Sequence, residues 1–305
     1  MSLKPAYRPN PAHIQAFLGA PVAMHPRALQ SMLAMLRSED AVRASIQAAD
    51  WSRIDARAKA LKASAFIDPL SGWFDESFDA HIIDGIAIIP VYGATMLRSS
   101  WCYSGYDHIE RAIAEAVQRR DVQAILLRIE SPGGDARVHD ICSMIRDARE
   151  VKPVIGYSAT EALSAGCALS SSCSQFFIGR QAEVGFMGVY TAHEDVSRML
   201  EYAGVDVKYY ASSDDKLAFV SDRPRQPVTD ETFTKMVADS YGLYVDAIAA
   251  GRSLDPELIR STGAKIFFGP EAFEIGLADK AETPDGTISY WDLLANITTI
   301  LRGMP

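Results

Sequence analysis

A stretch of small residues contains the first side chain that could act as a nucleophile. The segment TEALSAGCALSSSC runs from Thr160 to Cys173, and Ala165 and Gly166 directly follow Ser164. Small neighbours let a substrate backbone approach Ser164 closely, and the next N–H can then donate to an oxyanion. The same composition is typical of a buried helix that packs through small side chains. The segment alone leaves both interpretations open.

A serine hydroxyl becomes nucleophilic only beside a base, and two bases follow it in the chain. His193 lies in GVYTAHEDV near Asp195, which would suit a Ser-His-Asp arrangement. Lys216 lies in YYASSDDKLAF, and a lysine can serve as a base only where its surroundings favour the neutral amine. The structural alternatives are a half-buried histidine and an exposed lysine paired with Asp214 or Asp215. Residue chemistry does not choose between the two bases.

The segment RIESPGGDA is the second place where chemistry could occur. An apolar strand ends there in Ser131, Pro132, Gly133 and Gly134. Two glycines at the end of a strand free backbone N–H groups, and the helix that follows adds its positive end. This favours an oxyanion hole or another anion site, against a plain strand–turn–helix connection. The phosphate-loop pattern GxxxxGK[ST] is missing.

Composition narrows the class of protein. The chain has 305 residues, of which 48% are hydrophobic and 23% charged, with a net charge of −9. This acidic balance argues against a general nucleic-acid binder. No run of about 18 apolar residues predicts a membrane span, and the first residues do not resemble a secretory signal. The cysteines have neither CxxC nor matching histidine spacing, so we expect no metal site and free thiols in a cytoplasmic protein. They are Cys102, Cys142, Cys167 and Cys173.

Hydrophobic patterning predicts alternating strands and helices. The predicted strands cover IAIIPVYG, VQAILLRIE, KPVIGYS, SQFFIGR and VDVKYYAS. The predicted helices cover YDHIERAIAEAVQRR, the opening small-residue segment, DETFTKMVADSYGLYVDAIAAGR, DPELIRS and ISYWDLLANITTILRGM, and GGDARVHDICSMIRDARE turns into a helix. Such alternation favours βαβ units and a mostly parallel sheet, hence an α/β fold. The small-residue helix begins either at a capping box over Ser158–Glu161 or at Ser164 itself.

The same patterning divides the chain into three parts. Residues 1–75 read as a helical N-terminal arm or appendage, broken at its front by prolines. Residues 76–283 form the α/β domain, and residues 284–305 form a C-terminal helix. The sequence has no internal repeat and no low-complexity segment.

The order of these parts resembles the signal-peptide-peptidase-A family of serine peptidases. The parts are an apolar strand, SPGG, a strand, SAG at a helix start, a GxxGV turn, GVDVKYYASSDDK, a long helix and IFFGPEAFEIGLAD. Within the family, the chain is most similar to the branch of phage head-maturation (capsid assembly) proteases, over roughly residues 80–282. The resemblance implies a ClpP/crotonase-like β-α superhelix with a helical N-terminal arm and a C-terminal helix.

The resemblance also implies roles for particular residues. It makes Ser164 the nucleophile and Lys216 the general base of a Ser–Lys dyad, and so decides against His193. The backbone N–H groups of Gly133 or Gly134 and of Ala165 would form the oxyanion hole. The resemblance implies neither cofactor nor metal. Its substrates would be scaffold, portal or capsid proteins, in the bacterial cytoplasm or the phage prohead. It further implies a homo-oligomer that has no membrane span and binds no nucleic acid.

One position departs from the family pattern. Where the family reads GSIGV, this chain reads GFMGV, and Phe186 stands at the position of the serine that helps to hold the lysine. An aromatic ring cannot hydrogen-bond an ammonium; it would either desolvate Lys216 or block the site. Phe186 therefore leaves open the alternative that the chain is a catalytically inactive structural homologue that acts in capsid assembly. A crotonase-like acyl-CoA enzyme is the other alternative, because it shares the fold and an oxyanion hole of backbone amides.

Overall fold

The computed structural model describes residues 22–24, 80–99 and 103–303, with side chains described up to residue 297 in the last helix. The chain divides into two compact units. The larger unit contains Ala23–Gly188 and Tyr244–Pro305, and the smaller one contains Val189–Leu243 together with the chain up to Val22. Apart from residues 22–24, the predicted N-terminal arm lies outside the described residues. The boundaries at residues 75 and 283 stay predictions.

The main sheet of the larger unit has the strand order β2-β3-β4-β6-β8. The strands are β2 (His81–Ile83), β3 (Ile86–Tyr92), β4 (Ala124–Glu130), β6 (Val154–Ser158) and β8 (Gln175–Ile178). β2 is antiparallel to β3, and each later neighbour is parallel to the one before it. The helices between these strands are α1 (Tyr106–Gln118), α2 (His139–Arg149) and α3 (Ala165–Ser171). The predicted α/β class is therefore confirmed by alternating elements around a parallel sheet.

The core lies on both faces of this sheet. Ile89, Leu126, Leu127 and Ile129 are completely buried, as the continuous apolar runs of parallel strands require. The final helix, α8 (Tyr290–Gly303), packs through its buried apolar side chains against one face of the sheet. The predicted C-terminal helix is thus confirmed.

Shorter elements complete the larger unit. β7 (Glu161–Leu163) is parallel to β9 (Glu183–Gly185), and β9 is antiparallel to β10 (Ile266–Phe268). β1 (Val22–Met24) pairs with β5 (Gly133–Asp135). The helices α6 (Pro256–Ser261) and α7 (Glu271–Glu274) flank β10 in the chain. Asp255 caps α6 by accepting a hydrogen bond from the N–H of Glu257 at 2.9 Å.

The smaller unit has very little core of its own. It contains α4 (Ser197–Tyr202), a 3₁₀ helix (Asp214–Leu217) and the first part of α5 (Pro227–Arg252), whose last part belongs to the larger unit. Between residues 189 and 243, the buried residues are Ala218 and Thr229. The Thr229 hydroxyl donates to the Ala218 carbonyl at 2.5 Å.

The strand predicted over VDVKYYAS is wrong. Residues 205–212 form no strand in the described part of the chain, and nearly all of them are exposed. The alternation of apolar and polar residues is present, but a strand also needs a neighbour that accepts and donates the ladder hydrogen bonds. None of the described strands pairs with this segment.

The last turns of α5 approach α3 at backbone distance. A Cβ added to Gly251 would lie 2.3 Å from the carbonyl oxygen of Ser171. The guanidinium of Arg149 links the ends of the two helices, because its Nη1 donates to the carbonyls of Cys173 and Gly251, each at 3.2 Å. This region accepts only glycine at position 251.

We expect Gly251→Ala to lower the free energy of unfolding by about 1–3 kcal/mol, since the new methyl group forces the two helices apart. Gly242→Ala in the same helix is the matched control. A Cβ there meets nothing within 4 Å, so alanine should be neutral or add up to about 1 kcal/mol through helix propensity. Denaturant unfolding of both variants checks this, and equal midpoints would contradict the packing argument.

Candidate active site

Ser164 occupies the junction between β7 and α3. The helix begins at Ala165, and Glu161 lies in a strand, so the predicted capping box over Ser158–Glu161 is wrong and the start at Ser164 is correct. Ser164 has φ 52° and ψ −115°. A side chain with a Cβ rarely adopts this conformation, and holding it costs on the order of 1–3 kcal/mol. Strain of this kind is concentrated at functional sites.

Hydrogen bonds from several directions hold this strained backbone. The N–H of Ser164 donates to the carbonyl of Gly185 at 2.7 Å. Its own carbonyl accepts the N–H of Ala168 at 3.1 Å and the hydroxyl of Tyr244 at 2.6 Å. One residue earlier, Leu163 donates to the carbonyl of Ser131 at 2.9 Å. The backbone of Ser164 is therefore held by contacts from β9, α3, α5 and the loop after β4.

The side chain of Ser164 is completely buried, and its hydroxyl has one weak partner. Oγ donates to the carbonyl of Gly188 at 3.5 Å, at the long end of hydrogen-bond distances. Gly185 and Gly188 belong to the GFMGV turn, so this turn contacts both the backbone and the hydroxyl of Ser164. Phe186 in the same turn is half-buried, has φ 53°, and donates its N–H to the Lys265 carbonyl at 2.9 Å.

The predicted oxyanion donors lie around the loop after β4 and the first residue of α3. Ala165 is the first helical residue, where the N–H precedes the first hydrogen bond of the helix. A Cβ on Gly166 would lie 3.1 Å from the Ser131 carbonyl, so α3 starts directly against this loop. The N–H of Gly133 donates to the Ser131 hydroxyl at 3.2 Å. Gly134 lies in β5, which pairs with β1, so the choice between the two glycines as oxyanion donor stays a proposal.

Close backbone packing explains why glycine stands at position 134. A Cβ there would lie 1.7 Å from the carbonyl oxygen of Thr95. Thr95 also donates to the Gly133 carbonyl at 3.0 Å and accepts from the Asp135 N–H at 2.7 Å. The loop is anchored further by the Ser131 hydroxyl, which donates to the Gly93 carbonyl at 2.7 Å.

Lys216 lies in the smaller unit. It is exposed on the 3₁₀ helix Asp214–Leu217, together with Asp214 and Asp215. Ser164, Ala165, Gly133 and Gly134 belong to the larger unit. The pairing of Lys216 with Ser164 therefore stays a proposal.

The alternative base, His193, has surroundings that do not suit a Ser-His-Asp arrangement. Its ring packs 5.8 Å from the ring of Phe233, and its Nε2 is buried without a hydrogen-bond partner among the described residues. Asp195 accepts hydrogen bonds from the Ser197 hydroxyl at 2.6 Å, the Ser197 N–H at 3.0 Å and the Arg225 N–H at 3.2 Å. These bonds, led by the Ser197 hydroxyl, lower the pKa of Asp195. The Asp195 carboxylate thus accepts its hydrogen bonds from Ser197 and Arg225 and not from the His193 ring.

The cysteines of the described chain are inert thiols. Burial raises the pKa of Cys142 to about 11 and that of Cys167 to about 12, and it raises the pKa of Cys173 further. A nucleophilic cysteine needs the opposite shift. Cys102 lies outside the described residues. The described residues also contain no group of histidine, cysteine and acidic side chains that could hold a metal ion.

Residues 146–298 match Peptidase family S49, and the chain belongs to this family. Two relatives come from phages. The Head-tail preconnector protein GP5 of Enterobacteria phage P21 is 28% identical over 214 residues, which cover 68% of this chain and 43% of that protein. Capsid assembly protease C of Escherichia phage lambda is 29% identical over 208 residues, covering 65% and 47%. These matches confirm the predicted resemblance, although the chain spans less than half the length of either relative.

Among solved structures, a ClpP1 mutant from Listeria monocytogenes is similar with a TM-score of 0.41 and 14% identity. The similarity covers 65% of this chain and 93% of that one. A score this low carries no inference, and the α/β class rests on the strand order itself. Among the described helices, none has the length and hydropathy needed to cross a membrane.

The strain at Ser164 can be measured. Glycine accepts positive φ without a Cβ clash, so we expect Ser164→Gly to be more stable than Ser164→Ala by about 1 kcal/mol. Both variants lose the same hydroxyl, so their comparison isolates the backbone. Paired denaturant unfolding checks this; a less stable glycine variant would show that the backbone is unstrained.

Proposed function

We propose that the chain is a serine endopeptidase in which Ser164 is the nucleophile and Lys216 is the general base. The observation that carries the proposal is the strained, fully buried Ser164 at the start of α3, directly before the Ala165 N–H. A nucleophile held on a sharp strand-to-helix turn beside free helix N–H groups is suited to attack on a carbonyl. Membership of a peptidase family supports the same reaction and sets aside the acyl-CoA enzyme.

The chemistry follows from these roles. The neutral amine of Lys216 accepts the Ser164 proton while Oγ bonds to the scissile carbonyl carbon. The N–H groups of Ala165 and of Gly133 or Gly134 donate to the developing oxyanion. Lys216 then passes the proton to the leaving amine, which breaks the peptide bond and leaves an ester on Ser164. A water molecule, deprotonated by the same amine, hydrolyses the ester and restores the hydroxyl.

The relatives suggest the class of substrate. One is named a capsid assembly protease and the other a head-tail preconnector protein. We infer protein substrates for this chain, namely scaffold, portal or capsid proteins in the phage prohead.

Exposed apolar side chains of the smaller unit support self-association. Tyr202 is 96% exposed and Tyr210 86% exposed, and Met199, Val205 and Phe219 also face solvent. A monomer rarely leaves this much apolar surface uncovered. We infer that copies of the chain associate through this unit.

One observation favours a second candidate, a catalytically inactive structural homologue. Phe186 contributes an aromatic ring to the turn whose carbonyls contact Ser164, where the family pattern has a hydroxyl. In this candidate the chain keeps the fold and an assembly role without cleaving protein.

Covalent labelling with a fluorophosphonate separates the two candidates. We expect the probe to modify Ser164. Ser164→Ala should abolish labelling, and Lys216→Ala should slow it at least about 100-fold, at the lower end of general-base effects. Ser170→Ala and Lys235→Ala are the controls, a buried serine of α3 and an exposed lysine of the smaller unit. If mass spectrometry finds the folded wild-type protein unmodified, the result supports the inactive homologue and contradicts the serine endopeptidase.

The effect of Phe186 is measured separately. If its ring limits the reaction, Phe186→Ser labels faster than wild type by about tenfold, corresponding to about 1.4 kcal/mol of barrier. Phe186→Leu is the matched control, since it removes the aromatic ring without adding a hydroxyl. Equal rates in all three proteins would show that this position does not control the nucleophile.

A further inference from the structure

We propose that Tyr244 is a positioning residue for the oxyanion hole, and that it acts by orienting the N–H of Ala165. This inference rests on the proposed role of Ser164 as the nucleophile. Tyr244 lies in α5, is completely buried, and donates its hydroxyl to the carbonyl of Ser164 at 2.6 Å. That distance is at the short end for a hydroxyl donating to a carbonyl.

The link between Tyr244 and the oxyanion is one peptide plane. The carbonyl of Ser164 and the N–H of Ala165 belong to the same planar unit and point in opposite directions. A donor that fixes the carbonyl therefore fixes the direction of the N–H on the other side. It also withdraws electron density from the amide, which makes that N–H a stronger donor.

The carbonyl of Ser164 needs such a constraint. Its other partner, the N–H of Ala168, belongs to the short helix that this peptide begins. Without Tyr244, the plane between Ser164 and Ala165 is held mainly from within α3. With φ at 52°, the observed ψ of −115° lies outside the allowed left-handed region, so strain favours a rotation about ψ, which turns this plane. The tyrosine hydroxyl opposes that rotation from outside the helix.

The placement of Tyr244 follows from how α5 packs. Gly251, about two turns further along α5, meets Ser171, about two turns further along α3. Tyr244 contacts Ser164 and Gly251 meets Ser171, so this part of α5 runs alongside α3 in the same direction. Arg149 binds the carbonyls at the far end. The packing of α5 against α3 sets the position of the Tyr244 hydroxyl.

Tyr244 keeps its proton under assay conditions. Burial raises its pKa well above the ordinary tyrosine value, so the hydroxyl remains a donor when a lysine base is neutral. Because it donates to a backbone carbonyl, it takes no part in proton transfer. Tyr244 therefore affects the direction and the strength of the Ala165 N–H as a hydrogen-bond donor.

The test compares fluorophosphonate labelling rates of the full chain across pH. We expect Tyr244→Phe to label Ser164 about 10 to 100 times more slowly, below the loss seen when an oxyanion donor is removed outright. The pH at which the rate is half maximal should stay at the wild-type value, because the base is untouched. Tyr157→Phe is the matched control. It removes another buried hydroxyl that donates to a backbone carbonyl, that of Ile288 at 3.4 Å, and it should label at the wild-type rate.

A tyrosine analogue covers the case in which Tyr244→Phe fails to fold. Site-specific 2,3-difluorotyrosine at position 244 keeps the ring and strengthens the donor, so labelling should match or exceed wild type. A rate about tenfold below wild type in this protein would overturn the inference. So would a wild-type rate in folded Tyr244→Phe, or a shifted pH midpoint, which would place the effect on the base.

The outcomes separate this inference from the proposed function. If the folded wild-type protein is not labelled at Ser164, both the proposed function and the inferred role of Tyr244 are wrong. If Ser164 is labelled at a rate that does not depend on the Tyr244 hydroxyl, only the inferred role of Tyr244 is wrong.

Discussion

The backbone of Ser164 adopts a conformation that a free chain avoids, and several separate parts of the larger unit hold it there. Gly185 at the end of β9 accepts its N–H, while Ala168 and Tyr244 donate to its carbonyl. The Ala168 contact is the first hydrogen bond of α3, whereas Gly185 and Tyr244 reach Ser164 from distant parts of the chain. Because backbone strain persists only where the surroundings over-determine it, the conformation of Ser164 is a property of the assembled unit.

The parallel sheet provides the frame for this arrangement. β4 ends in the loop that contains Ser131, and the carbonyl of Ser131 accepts the N–H of Leu163 just before Ser164. Functional loops of open α/β sheets gather at the carboxyl ends of parallel strands. The small residues at Ala165 and Gly166 then let α3 lie directly on this loop. Ser164, the glycine loop and the start of α3 thus meet beyond the carboxyl end of β4.

The strands and helices of the larger unit could be predicted because their patterns agree with their surroundings. Continuous apolar runs became buried parallel strands, and the long periodic segment became α5. VDVKYYAS shows the limit: its alternation is that of a strand, but pairing depends on a neighbour that no local pattern supplies. Tyr244 shows another limit, since in sequence it is one more large residue on an amphipathic helix. The positive φ of Ser164 likewise arises from contacts distant along the chain.

The hydrogen bond between Tyr244 and Ser164 spans 80 residues. Proteins are synthesised from the N-terminus, and their segments can fold as they emerge. The sheet and α3 are therefore complete in the nascent chain well before the helix that bears Tyr244. During that interval the carbonyl of Ser164 lacks its outer donor, so an unfinished polypeptide holds a serine without the constraint on its neighbouring amide.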